Sequence, residues 1–480
     1  MRVSPLFALI GATLLLGCGD MESDEPVARR CTLARPLAAD SRLTAEGTRL
    51  VDTHGRTVSL RGVNAGGRSK FAPFAPFDFD DGDYDAALAE YLDRAEGWGI
   101  NVLRVPFTWE AVEPEPGVLD EAFLVRYDKL LDAAWARGMR SVVDFHQDVY
   151  AAVYCGDGFP AWTIQGPVPE PHHDCPDWFT GYLTNPDVKA AFDHFWADDT
   201  GVQTMFASMW DKMAARHANR PGVIGFEVIN EPGWGTADTS VWGPSVLAPF
   251  YSRMAERIQA AAPGALVFFD TTGIEAGAGE TSLVRPEGEG LVFAPHYYDF
   301  KALIGAGGDP DSVAFFLAKW ASVGEAWDVP VLLGEFGIDH DREDATAYIA
   351  AHFDALDALG MHGTYWEYSD AQEAWNDESL SVMNHGEEVL PVVEGFMRPY
   401  PRALAGSDAR VSYEHVSREL SLTYAPAAGI TEVAVPVRLY PNGASVSLTG
   451  ACFDDAASPG VLLLQADEGA AEVRLEVRPK

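Results

Sequence analysis

The stretch Val223-Ile224-Gly225-Phe226-Glu227-Val228-Ile229-Asn230-Glu231-Pro232 is apolar for most of its length and stops in Asn-Glu-Pro. A short run of this texture reads as a strand covered on both faces, as in parallel sheets, and the proline ends it. Seven more runs share the pattern, at residues 57–63, 101–105, 141–145, 265–269, 291–295, 329–333 and 362–366. Helical signals lie between them, for example over 85–98 and 121–137, where apolar residues recur at three- and four-residue spacing with Gly or Arg near the end. Strand and helix alternating eight times predict a parallel sheet, and eight strands close a (β/α)8 TIM barrel, an α/β fold. The alternative, an open doubly wound sheet, would gather its functional residues at one switch point. Here Asn230-Glu231, His296, Glu335 and Trp366 stand at the ends of different runs, which favours the barrel.

After Pro399 the texture changes to short alternating runs, at 420–424, 431–437, 444–448, 461–464 and 471–477, broken by Pro, Gly, Asn and Asp. They predict a small C-terminal antiparallel β-sandwich. It has no row of aromatics to form a carbohydrate platform, so a structural cap on the barrel is expected. At the other end, Arg2 precedes an apolar run over 6–16, too short for a permanent membrane span and the right length for a signal-peptide core. The run ends in Leu15-Leu16-Gly17-Cys18, which resembles the lipobox of bacterial lipoproteins. That resemblance implies lipidation of Cys18 and membrane contact at the cell envelope or surface; the alternative is an ordinary signal peptide and secretion. The expected division is a signal peptide with lipobox Cys over 1–18, a flexible tether over 19–42, the barrel over 43–398 and the sandwich over 399–480.

Lys and Arg number 34 against 72 Asp and Glu, a net charge of -38 at pH 7. A field this negative repels phosphate backbones, and no basic patch offsets it, so nucleic acid is excluded as a partner. With 47% hydrophobic and 11% aromatic residues the chain is neither disordered nor a coiled coil, and a monomer is expected. Beyond Cys18 the cysteines are Cys31, Cys155, Cys175 and Cys452, and export makes pairing the default. Cys155 and Cys175 flank one loop and are expected to bridge it; Cys31 and Cys452 either tie the N-terminal arm to the C-terminal region or stay free. His172, His173, Asp174 and Cys175 are adjacent residues without the spaced pairs of a zinc site. The acidic run from Asp78 to Asp85 lacks the register of an EF-hand. No metal and no cofactor are expected.

Glycoside hydrolysis uses one carboxyl that gives a proton and a second that attacks, or activates water, from the opposite side of the sugar ring. Glu231 ends the fourth run, and Glu335, in Leu333-Gly334-Glu335-Phe336-Gly337, ends the seventh; strands four and seven face each other across a barrel mouth. The Asn-Glu-Pro context holds Glu231 rigidly, as a proton donor needs. The glycines beside Glu335 let the backbone turn sharply at a nucleophile. A lone Glu at a strand end is more often a salt-bridged structural residue, so the pair carries the weight.

Asn230-Glu231-Pro232 with Glu335, Arg104 in Leu103-Arg104-Val105-Pro106, His146 in Asp144-Phe145-His146, His296-Tyr297-Tyr298 and Trp366 resemble the marker set of family 5 glycoside hydrolases. The lead-in from Leu50-Val51-Asp52 through Gly55-Arg56 to Leu60-Arg61-Gly62-Val63-Asn64 is similar to that family's start. The resemblance implies that Arg104 bonds Glu335 and keeps it ionised, that Asn230 holds the sugar 2-hydroxyl, and that His146, His296 and Tyr298 bond substrate or nucleophile. Trp366 would form the floor under the reacting ring.

A narrower likeness runs through nearly the whole chain from Leu43. Asp144-Phe145-His146-Gln147-Asp148-Val149-Tyr150, Gly156-Asp157-Gly158-Phe159-Pro160-Ala161-Trp162 and Arg398-Pro399-Tyr400-Pro401-Arg402-Ala403-Leu404-Ala405-Gly406 resemble endoglycoceramidases. This implies a retaining endo-β-glycosidase that cuts the bond between oligosaccharide and ceramide in glycosphingolipids, with Asp148 and Lys70 on the glucose next to the ceramide. A β-glucanase or cellulase acting on β-linked glucans is one alternative, and a non-catalytic glycan-binding surface lipoprotein another. Beside Lys70, Phe71-Ala72-Pro73-Phe74-Ala75-Pro76-Phe77 departs from the family pattern; its rings either line an apolar channel for lipid tails or pack back on the barrel.

Overall fold

The computed structural model describes residues 28–35, 41–79, 82–170, 175, 177–303, 308–370 and 378–480. The apolar N-terminal run with Cys18, and His172-His173-Asp174, lie outside the described residues.

Eight parallel strands follow one another: β1 (Arg61–Asn64), β2 (Val102–Phe107), β3 (Arg140–Phe145), β4 (Val223–Glu227), β5 (Leu266–Phe269), β6 (Leu291–Phe293), β7 (Leu332–Leu333) and β8 (His362–Tyr365). Each pairs with the next, β8 pairs with β1, and a parallel bridge from Phe293 to Val331 closes the ring. The strands are apolar on both faces because two cores need them. Val102, Val142, Ile224, Leu266 and Leu332 point into the barrel interior, while their neighbours Leu103, Val143, Val267 and Leu333 pack on the outer helices. Those helices include Tyr84–Gly97, Glu121–Ala136, Val202–His217, Ala248–Ala261, Pro310–Trp327 and Ala345–Leu359.

The barrel begins later than the run over 57–63 suggests. Thr57–Val58 pairs antiparallel with Arg49–Asp52 and with Tyr400–Leu404, and only Arg61–Asn64 enters the barrel. Leu43, Leu50, Val58 and Leu60 join the interior cluster at the N-terminal ends of the strands, so the hairpin plugs the barrel floor. It does so as part of a seven-stranded antiparallel sheet that continues through Tyr400–Leu404, Ile430–Ala434, Val461–Ala466 and Ala451–Ser458. A four-stranded sheet of Gly406–Glu414, Glu419–Pro426, Val473–Pro479 and Ala444–Thr449 covers it. Leu420, Leu422 and Tyr424, and Val473, Leu475 and Val477, are buried at every second position, the signature of a sheet with one face inside.

Both disulfides are present, Cys155–Cys175 across its loop and Cys31–Cys452 from the arm to the sandwich, with Cα separations of 6.0 and 5.8 Å. Just ahead of that second bridge, Arg29 and Arg30 pair with Asp467 and Asp455. Of the phenylalanines after Lys70, Phe77 is buried with its ring 5.3 Å from those of Tyr84 and Tyr91, and Phe74 meets Phe123 edge-on. Phe71 lies under the Arg68 guanidinium. Phe77 and Phe74 therefore follow the reading in which the rings turn back on the protein.

Candidate active site

Arg104, in the middle of β2, is wholly buried and distributes its donors over three other strands and their ends. Nε and Nη2 each reach a Glu227 oxygen at 2.8 Å, Nη1 donates to Glu335 Oε1 at 2.7 Å and to Asn64 Oδ1 at 2.9 Å, and Nη2 to Asn230 Oδ1 at 2.8 Å. Only a planar guanidinium offers that many donors in one fixed fork. Asp144 adds a further carboxylate 3.2 Å from Nη2.

Glu231 follows β4 with φ at 37°, a left-handed backbone that costs an L side chain about 1–3 kcal/mol. It is held there by Gln147 Nε2, which donates to its carbonyl at 2.8 Å, and by its own N–H, which donates to Asp270 Oδ2 at 3.0 Å. Its carboxyl meets His296 Nδ1 at 2.8 Å and is 12% exposed, open to an incoming ligand. Across the mouth, Glu335 Oε2 accepts from Tyr298 Oη at 3.0 Å and lies 3.6 Å from His296 Nδ1. One oxygen of Glu231, one of Glu335 and a His296 nitrogen all lie within 4.8 Å of one another.

Burial opposes the His296 cation, but Asp270, Glu335 and Glu231 overcome it and push the imidazole up to about 10. A protonated His296 therefore donates to the Glu231 carboxyl and sets a positive charge beside Glu335. Burial likewise raises the Glu335 carboxyl, and His296, Arg104, His146 and Lys70 together reverse this and hold it below the usual carboxylate range. Glu335 is thus ionised, as a nucleophile must be. Glu231, His296 and Glu335, like Glu227, Asp270 and His296, are close enough to take a metal ion, but a protonated His296 has no lone pair to offer one.

The other side of the mouth is walled by polar groups around Trp366. The His146 ring stacks on the indole at 5.0 Å between centroids, and Lys70 Nζ stands 4.3 Å above it. Lys70 donates to Asp148 Oδ2 at 2.5 Å, and Trp366 Nε1 to Glu378 Oε2 at 3.1 Å. His146 Nδ1 bonds Asp144 Oδ2 at 2.7 Å; burial lowers the ring's affinity for its proton, and Asp144 more than restores it, to about 10. Burial raises the Asp148 carboxyl, and Lys70 and His146 outweigh it, so it stays charged.

All ten residues expected at the site, Glu231, Glu335, Lys70, Arg104, His146, Asp148, Asn230, His296, Tyr298 and Trp366, converge at the C-terminal end of the barrel. Reading the sequence passed over Glu227, Asp144, Gln147, Asp157, Asp270 and Glu378. For Glu227 and Asp144 a signal was available: each is a carboxylate inside an otherwise apolar run, a position that demands a buried cation. Glu378 lies in a loop with no periodicity to place it.

The model of Cellulase (glycosyl hydrolase family 5) matches residues 51–372, and that of the glycoside hydrolase family 5 C-terminal domain matches 398–477. Endoglycoceramidase I of Rhodococcus hoagii (strain 103S) is 26% identical over 90% of this chain and 87% of its own. Among solved structures, endo-glycoceramidase II from Rhodococcus sp. in its ganglioside GM3 complex superposes with a TM-score of 0.75, at 27% identity over 90% of this chain and 99% of that one. The lactosyl-enzyme intermediate of the same enzyme gives 0.74, at 27% identity over 90% and 100%.

Proposed function

The chain belongs to glycosyl hydrolase family 5, and from that premise we propose that this glycoside hydrolase is a retaining endoglycoceramidase, releasing intact oligosaccharide from ceramide with Glu335 as nucleophile and Glu231 as acid and base. The observation that carries the retaining reading is the spacing: carboxyl oxygens of Glu231 and Glu335 within 4.8 Å leave no room for a water between Glu335 and the anomeric carbon. Retaining enzymes set their carboxyls about 5–5.5 Å apart, inverting ones about 6.5–9.5 Å. The likeness to endoglycoceramidases over nine-tenths of the chain supports the substrate.

Glu335 attacks the anomeric carbon while Glu231 gives its proton to the departing ceramide oxygen, leaving a glycosyl ester on Glu335. Water, deprotonated by Glu231, then attacks the same carbon, and Glu335 leaves as carboxylate. His296, touching both carboxyls, steadies Glu231 as its charge changes between the two steps. Tyr298 Oη and Arg104 aim the attacking carboxylate. Asn230, held by Arg104, is oriented toward the 2-hydroxyl, and Lys70 and Asp148 hold the sugar over Trp366. Export and a Cys18 anchor fit the same reading, supported by the lipobox resemblance and by two disulfides of the kind oxidising compartments keep.

The test is incubation with a panel of glycosphingolipids in detergent beside cello-oligosaccharides, with products identified by mass. Intact oligosaccharide and free ceramide are expected; cleavage of glucans alone would overturn the substrate and leave the carboxyl pair.

A further inference from the structure

Gly156-Asp157-Gly158 lies flat on the end of β3. The Asp157 N–H donates to the Asp148 carbonyl at 3.0 Å in an isolated antiparallel bridge, and the Phe159 N–H to the Tyr150 carbonyl at 2.8 Å. A Cβ on Gly156 would stand 1.7 Å from the Asp148 carbonyl oxygen, and one on Gly158, whose φ is +108°, 2.3 Å from Gln147 Cβ. Two glycines thus press the residue between them against Asp148, and Cys155, bridged to Cys175, fastens the segment just ahead of them.

The Asp157 carboxyl is completely buried, and neither of its oxygens meets a donor among the described residues. What it meets is the Asp148 carboxyl, already in contact with Lys70 Nζ at 2.5 Å and 3.6 Å from His146 Nε2. The charged groups facing the pair are Lys70 from the loop after β1 and His146 from the end of β3, with Glu378 beyond Lys70. Two carboxyls sealed against each other do not both ionise. Burial and the Asp148 charge push Asp157 well above the carboxylate range, and Lys70 and His146 keep Asp148 ionised.

We infer that Asp157 is a positioning residue: as a neutral acid it donates its carboxyl proton to Asp148, locking that carboxylate beside Lys70 in the orientation that receives the sugar hydroxyls. The inference rests on the proposed reading that Asp148 and Lys70 hold the sugar, and it adds a group that acts only through Asp148. It also gives the neighbouring disulfide a task, since the loop it fastens carries the donor.

The test compares Asp157→Asn, which keeps the shape and a donor, with Asp157→Ala in the full chain, on an aryl β-lactoside and on a glycosphingolipid. Asp157→Ala is expected to raise KM about tenfold or more with kcat changed less than about threefold, and Asp157→Asn to keep KM within about threefold. A structural role alone would not separate KM from kcat or be rescued by asparagine. A KM for Asp157→Asn raised as far as for alanine, or an unchanged KM for Asp157→Ala, overturns the inference; the asparagine variant decides alone if alanine does not fold. Cleavage of the lactoside without the glycolipid would overturn the ceramide substrate and leave the KM comparison standing.

Discussion

Arg104 brings Glu227, Glu335, Asn64 and Asn230 into one buried network. A lysine carries the same charge but cannot satisfy the fork, so Arg104→Lys is expected to lower kcat by about a hundredfold, with a smaller change in KM, in steady-state assays. Glu335→Gln is expected to bind substrate and lose turnover by about a thousandfold or more; turnover near the native rate in purified variant would reject Glu335 as nucleophile. Glu378 makes a prediction about pH. Burial lifts its carboxyl from 4.5 to about 7. A carboxyl raised on folding favours the folded state while protonated, so that contribution is whole below about pH 4.5 and is lost as pH rises to about 7. The loss amounts to about 3 kcal/mol. Glu378→Gln, neutral throughout, should gain on the native protein by that amount between pH 4 and pH 8 in urea titrations.

Among the elements, the barrel strands were legible because each is buried on both faces and reads as a continuous apolar run, as β4 does in Val223–Glu227. Strand Tyr400–Leu404 was not, because Pro401 and Arg402 interrupt it; the sheet tolerates them through an irregular register there. The split of 57–63 was equally hidden, since Thr57–Val58 and Arg61–Asn64 lie three residues apart in one short run and are told apart by their partners. The floor hairpin can be tested directly. Leu50 is fully buried in the interior cluster, and Leu50→Ala is expected to cost about 2–5 kcal/mol by denaturant unfolding while leaving KM unaltered, because the mouth lies at the other end.

For the whole molecule, the hairpin that floors the barrel is part of the sandwich's seven-stranded sheet. Thr57–Val58 pairs with Tyr400–Leu404, Arg56 bonds Asp52 and Glu432 within it, and Cys31–Cys452 closes the arm onto its far edge. A chain ending at residue 398 would leave the floor hairpin with an unpaired edge and an exposed apolar face. It is expected to be insoluble on expression, and a soluble, active truncation would show that the sandwich is dispensable.

The sequence by itself determined the eightfold alternation, the two carboxyls and the residues around them, because strand periodicity and the residue types a reaction needs are local properties. Only the tertiary structure decided the remainder. That Glu227 and Asp144 neutralise Arg104, that His296 joins the two catalytic carboxyls, that Asp157 meets Asp148 and that the N-terminal hairpin belongs to the C-terminal sheet are pairings between distant segments. Charge, burial and hydrogen bonding acquire their values there from which groups the fold places within a few ångströms, and no single segment carries that information.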